Sequence, residues 1–125
     1  MMKMIFSAKA QENIEAAEIL FENQKYNASA SRAYYAAFHA AIAALKNAGF
    51  SIDKISHESL QAKFNGELIR KRKVYPSRFK SYLLDLQSVR LAADYKSIFV
   101  SKKVAGRQNK KAREYFEAIQ QEINK

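Results

Sequence analysis

The chain has 125 residues, 48% of them hydrophobic, with three glycines, one proline and no cysteine. That composition can build one core without staples, excludes a disulfide framework or thiolate metal site, and supplies too few turn residues for an all-β domain. The net charge of +10 arises wholly in the second half: residues 1–62 hold six bases and six acids, and residues 63–125 hold the other sixteen bases and six acids.

The length fits a single domain over residues 1–125. The opening MMKMIFSAKAQ has only a short apolar run before acids begin at Glu12, so no targeting segment is expected. No stretch approaches the eighteen apolar residues of a membrane span. The expected location is the cytoplasm.

Five helical segments can be drawn. The first runs from about Ser7, a candidate N-cap, to Phe21, with Ile14, Ala17, Leu20 and Phe21 at helical spacing. The second, from Tyr26 to Asn47, places Tyr34, Tyr35, Phe38, Ile42 and Leu45 on one arc, and alanine fills much of the rest. Alanine favours helix and lets neighbouring helices approach closely, so this segment reads as the centre of a bundle, ended by Gly49. A third helix starts at Ser56 and carries Leu60, Phe64 and Leu68. Residues 70–75 then read as a charged connector, with Pro76 in the first turn of the next helix.

The fourth helix, Pro76 to Tyr95, has two apolar stripes. Phe79, Tyr82, Leu83, Leu86, Val89 and Ala93 form the first. Leu84, Leu91 and Tyr95 form a second on nearly the opposite side, which either the same chain or a second subunit must cover. The fifth helix, Ser101 to Ile123, buries Val104, Tyr115, Phe116 and Ile119. The expected fold is all-α, an up-and-down bundle of four to five helices.

Arg90 least fits a plain core. It borders the first stripe, and Asp94 four residues on offers an ion pair; its planar fork would equally suit a phosphate. Arg32, Tyr35 and His39 share one side of the second helix, where His39 is either a packed imidazole or a general base. His57 at a helix start is a further candidate. No metal-ligand spacing and no glycine-rich phosphate loop is present, and no cofactor is expected. Two basic runs are candidate nucleic-acid contacts: Arg70, Lys71, Arg72, Lys73, Arg78 and Lys80, interleaved with Tyr75 and Phe79, and Lys102, Lys103, Arg107, Lys110, Lys111 and Arg113. A solvated surface explains these runs as well.

The run YNASASRAYYAAFHAA from Tyr26 to Ala41 resembles the signature helix of HEPN domains, closest to their small stand-alone subgroup. Ser56-His57 ahead of Leu60 and Phe64, Arg90-Leu-Ala-Ala-Asp94-Tyr95, and a last helix with Ala112, Phe116 and Ile119 follow in matching order. The resemblance covers about residues 8 to 122. It implies a helical bundle that forms a homodimer. It also implies metal-independent RNA cleavage by an Arg and a His with four to six residues between them, often as a toxin beside a minimal nucleotidyltransferase. Arg90 matches the motif's Arg, but Tyr95 stands where the His would be, and a phenol is a poor general base at neutral pH. The expected function is therefore a dimeric module binding RNA, nucleotide or a nucleotidyltransferase partner through the basic second half. The alternative is a ribonuclease using Arg90, Asp94 and Tyr95, and a third reading is a helical adaptor.

Overall fold

A computed structural model describes residues 2–53 and 55–125. Helix α1 spans Met2–Glu22, α2 Tyr26–Asn47, α3 His57–Lys63, α4 Tyr82–Tyr95 and α5 Lys102–Ile123. A π-helical stretch, Phe64–Lys71, continues α3, and a short 3₁₀ turn, Ser77–Ser81, leads into α4. The described residues contain no strand.

Helix α2 is the central element, packed on α1, α4 and α5. Its alanines make this possible: Ala33, Ala36, Ala37, Ala40, Ala41 and Ala44 are all buried, so three neighbours approach its backbone closely. Around its far end, Phe64, Phe79 and Tyr115 meet with ring centroids 5.2 Å apart in two pairs, which seals the junction of the π segment, the 3₁₀ turn and α5. One polar chain crosses the core. The Asn109 amide donates to the Ser29 hydroxyl at 2.9 Å, and Ser29 donates to the Ala17 carbonyl at 2.7 Å, tying α5, α2 and α1 together.

Several expected boundaries shift. Helix α1 begins before Ser7, which is therefore not its N-cap; the Ser7 hydroxyl instead bonds the Gln120 side chain on α5. The early turn is held by Phe6, stacked on His39 at 5.9 Å, and by Lys3, which donates to Asn47 at 2.9 Å. At the other end Gln24 adopts φ 63°, and the Lys25 amide reaches back to the Leu20 carbonyl at 2.8 Å, a left-handed C-terminal cap. Ser56 caps α3 reciprocally with Ser59, and Gly49, at φ 95°, closes α2.

The connector begins later than expected. Arg70 and Lys71 lie inside the π-helical stretch, whose wider turn lets the adjacent Leu68 and Ile69 both face inward. Pro76 is an extended cap before the 3₁₀ turn, so α4 starts at Tyr82. The two stripes of the fourth segment have different fates. Phe79, Leu83, Leu86 and Ala93 are buried, whereas Leu84, Leu91 and Tyr95 are 50%, 39% and 75% exposed. Of the two alternatives for the second stripe, the described residues of the same chain do not supply the cover. No described helix is long and apolar enough to cross a membrane.

Candidate functional site

Arg90 sits where α4 crosses the middle of α2. Its Nη2 donates to the Tyr35 hydroxyl at 2.7 Å, and its Nε lies 3.0 Å from Asp94 Oδ2. The Nε–H does not aim at that oxygen, so the second contact is an ion pair rather than an aligned hydrogen bond. Asp94 is held from α2 as well, where the Ser31 hydroxyl donates to its Oδ1 at 2.8 Å. Three tyrosine rings surround the guanidinium, with its carbon 5.7 Å from the Tyr34 centroid, 5.2 Å from Tyr35 and 5.9 Å from Tyr95. Nη1 makes no hydrogen bond among the described residues, so its N–H groups are not spent on the protein.

An imidazole approaches this cluster from α3. The Tyr34 hydroxyl is 3.3 Å from His57 Nδ1. Burial raises the Tyr34 phenol to about 12, against the opposing pull of Arg90 and with a small addition from Tyr35, so the hydroxyl stays protonated. Burial likewise lowers His57, only partly offset by the nearby Gln61 amide and by the Glu58 carboxylate. A neutral His57 accepting from Tyr34 satisfies both, and its buried Nε2 has no partner among the described residues. Arg90, Asp94 and Tyr95 are therefore brought together, with His57 one residue removed. The spacing of the sequence did not reveal Ser31 or the bridging role of Tyr34; their places on the Arg90-facing side of α2 become visible only when α4 is laid across it.

Arg32 and His39 lie on the other flank of Tyr35. The Arg32 guanidinium carbon is 4.7 Å from the Tyr35 centroid, and its Nη1 donates to Asn13 on α1 at 3.1 Å. His39 Nδ1 donates to the Tyr35 carbonyl at 2.9 Å. Its pKa is lowered by burial, against the effect of that bond and with help from the charges of Lys9 and Arg32.

The basic second half is less available than its charge implies. Arg78 pairs with Glu114 at 2.6 Å, Lys111 with Asp85 at 2.6 Å, and Lys71 with Glu67 at 3.1 Å. Arg113 grips Glu18 at 2.7 Å and Glu117 at 3.1 Å, and Arg72 donates to the Ala48 carbonyl at 3.1 Å. Burial would raise Asp85, but hydrogen bonds from Lys111 and Gln108 outweigh it and hold the carboxyl below its usual range. Arg70, Lys73 and Lys80 are exposed, as are Lys102, Lys103, Arg107 and Lys110, and none of them forms an ion pair among the described residues.

The all-α bundle, with α2 at its centre and the Arg90 cluster where α4 crosses it, agrees with what the sequence itself matches. The chain belongs to the HEPN domain family, whose match runs over residues 5–123. Among curated proteins it is similar to the Methanocaldococcus jannaschii protein named "Putative toxin MJ0605", at 58% identity over 36 residues. That likeness covers 29% of this chain and 27% of the relative, so the chain spans about a quarter of its length.

Proposed function

We propose that this HEPN domain is a toxin-like homodimeric module that holds RNA by a backbone phosphate at Arg90. The observation that carries this reading is the Arg90 guanidinium, oriented by Tyr35 and Asp94 with Nη1 left over. An arginine fixed by neighbours loses little freedom when it takes up a phosphate. The exposed strip of Leu84, Leu91 and Tyr95, continued by Ile98 and Phe99, supplies the face for a second copy. Pairing there would bring two Arg90 clusters to one seam. The unpaired second-half bases add sequence-independent attraction for the strand, or for a nucleotide. A minimal nucleotidyltransferase is the partner that the family resemblance suggests, and the name of the short-range relative supports the toxin-like role.

A second reading, metal-independent RNA cleavage, draws support from His57. Tyr34 joins that imidazole to the Arg90 cluster, where it could serve as the proton carrier that Tyr95 cannot be. One assay separates the two: RNA incubated in EDTA with wild type and with Arg90→Ala, read for binding and for product ends. Salt-sensitive binding without cleavage, lost in the variant, is the expected result. Cyclic-phosphate ends from wild type alone would replace the binding module by a ribonuclease, and equal binding by both proteins would remove Arg90 from the site.

A further inference from the structure

Tyr35 stands between two arginines. Arg90 meets its hydroxyl, and Arg32 lies against its ring. With guanidinium carbons 5.2 and 4.7 Å from one centroid, the two cations are at most about 10 Å apart. Their charges are answered differently. Arg90 has Asp94, whereas Arg32 has only the neutral amide oxygen of Asn13, and no carboxylate lies within ion-pair distance of it among the described residues.

Arg32 also opens onto a cleft between α1 and α2, lined by Lys9, Glu12, Asn13, Arg32 and His39. The spacing on each helix produces this lining: Lys9 and Asn13 are one turn apart on α1, and Arg32, Tyr35 and His39 follow at three- and four-residue steps on α2. Because His39 spends Nδ1 on the Tyr35 carbonyl, Nε2 is the nitrogen with which it can meet a ligand. Against Lys9, Arg32 and the imidazole the described residues of the cleft set a single acid, Glu12. Two cations held near each other with one countercharge between them repel, and an anion bound across both relieves that repulsion.

We propose that Arg32 is a second phosphate-binding residue. It takes the phosphodiester next to the one at Arg90, so that an RNA strand crosses Tyr35 from α4 into the α1–α2 cleft. This rests on the reading that Arg90 holds an RNA phosphate. It places the strand over residues of the charge-balanced first half of the sequence, away from the basic runs of the second. Two anchors separated by a tyrosine suit successive phosphates of a strand rather than the single phosphate of a mononucleotide.

The test is fluorescence anisotropy with a short single-stranded oligoribonucleotide across a salt series, and competition by uridine monophosphate. Wild type is compared with Arg32→Ala, Arg32→Lys, Asn13→Ala and Arg90→Ala, each first shown by thermal melting to be folded. Arg32→Ala should weaken strand binding about tenfold and flatten the log–log salt slope by about 0.7, the value for one phosphate contact on a single strand. Arg32→Lys and Asn13→Ala keep the charge and should keep the slope. The mononucleotide, with one phosphate to place, should lose less affinity in Arg32→Ala than the strand does. Strand affinity and salt slope unchanged in Arg32→Ala, with wild type binding, would overturn the proposal and leave Arg90 standing. Weakening by Arg32→Ala but not by Arg90→Ala would remove Arg90 and keep the Arg32 site. No strand binding by wild type at low salt would overturn both.

Discussion

The Arg90 cluster and the basic second half make opposite use of arginine. From the π-helical stretch through α5 bases are numerous, and many of the arginines among them are spent on the protein itself: Arg113 clamps α5 to α1 through Glu18, Arg78 holds the 3₁₀ turn to Glu114, and Arg72 caps the end of α2. Around Tyr35 bases are few, but Arg90 is oriented with one nitrogen to spare, and among the described residues Arg32 pairs with no carboxylate. Charge counted along a chain measures solubility and long-range attraction. Charge that can bind a phosphate is what remains after internal pairing.

The largest effect that would break this contrast is at Arg90 itself. Arg90→Ala should lower RNA affinity about tenfold or more, the scale of a charge-assisted hydrogen bond, while Lys102→Ala or Lys103→Ala should cost severalfold less in the same anisotropy titration. Comparable losses at all three would make the site diffuse. At the proposed dimer face, Leu91→Glu should convert a dimer to monomers in sedimentation at micromolar concentration, by placing a charge on a face that pairing would desolvate. An unchanged sedimentation coefficient would move the interface elsewhere.

Core and surface polar groups should separate just as clearly. Ser29→Ala leaves the Asn109 amide unanswered inside the bundle and should cost about 1–3 kcal/mol in urea unfolding. Arg78→Ala removes an exposed pair, and its RNA affinity should stay within about twofold of wild type. If Arg78→Ala weakened binding as much as Arg90→Ala, the paired bases would have to be counted as available after all.

The smallest expected effect is in the pH dependence of stability. Both histidines titrate lower in the folded protein than in the unfolded chain, chiefly because of burial. Below the unfolded value of about 6.5 the unfolded chain binds more protons, so stability is complete above that pH. It should fall as pH drops, levelling once the folded values are passed. The urea midpoint should therefore be lower at about pH 5.5 than at about pH 7.5, and the difference should shrink in His57→Gln. An identical difference in that variant would exclude His57 as a contributor.

Much of the fold was legible in the chain itself. The alanine-rich α2, the Ser56 cap, the turn at Gly49 and the buried stripe through Leu83 and Leu86 follow from local propensity and period, which act over a few residues. The Arg90–Asp94 pair was equally visible, because both partners lie on one helix turn. The start of α1 was not, since Phe6 and Ser7 are held by His39 and Gln120, residues far along the chain. Nor was the π-helical turn, which follows from the need to bury Leu68 and Ile69 together.

The sequence alone determined an all-α HEPN bundle and supplied Arg90 as its leading candidate site residue, because helical periodicity and i to i+4 spacing are local. Only the tertiary structure decided which charges stay available and which groups join Arg90. Ser31, Tyr34, Tyr35 and Arg32 come from α2, and His57 comes from α3. Electrostatic partners are chosen by distance in space, and a crossing of two helices brings together side chains whose separation along the chain carries no signal of it.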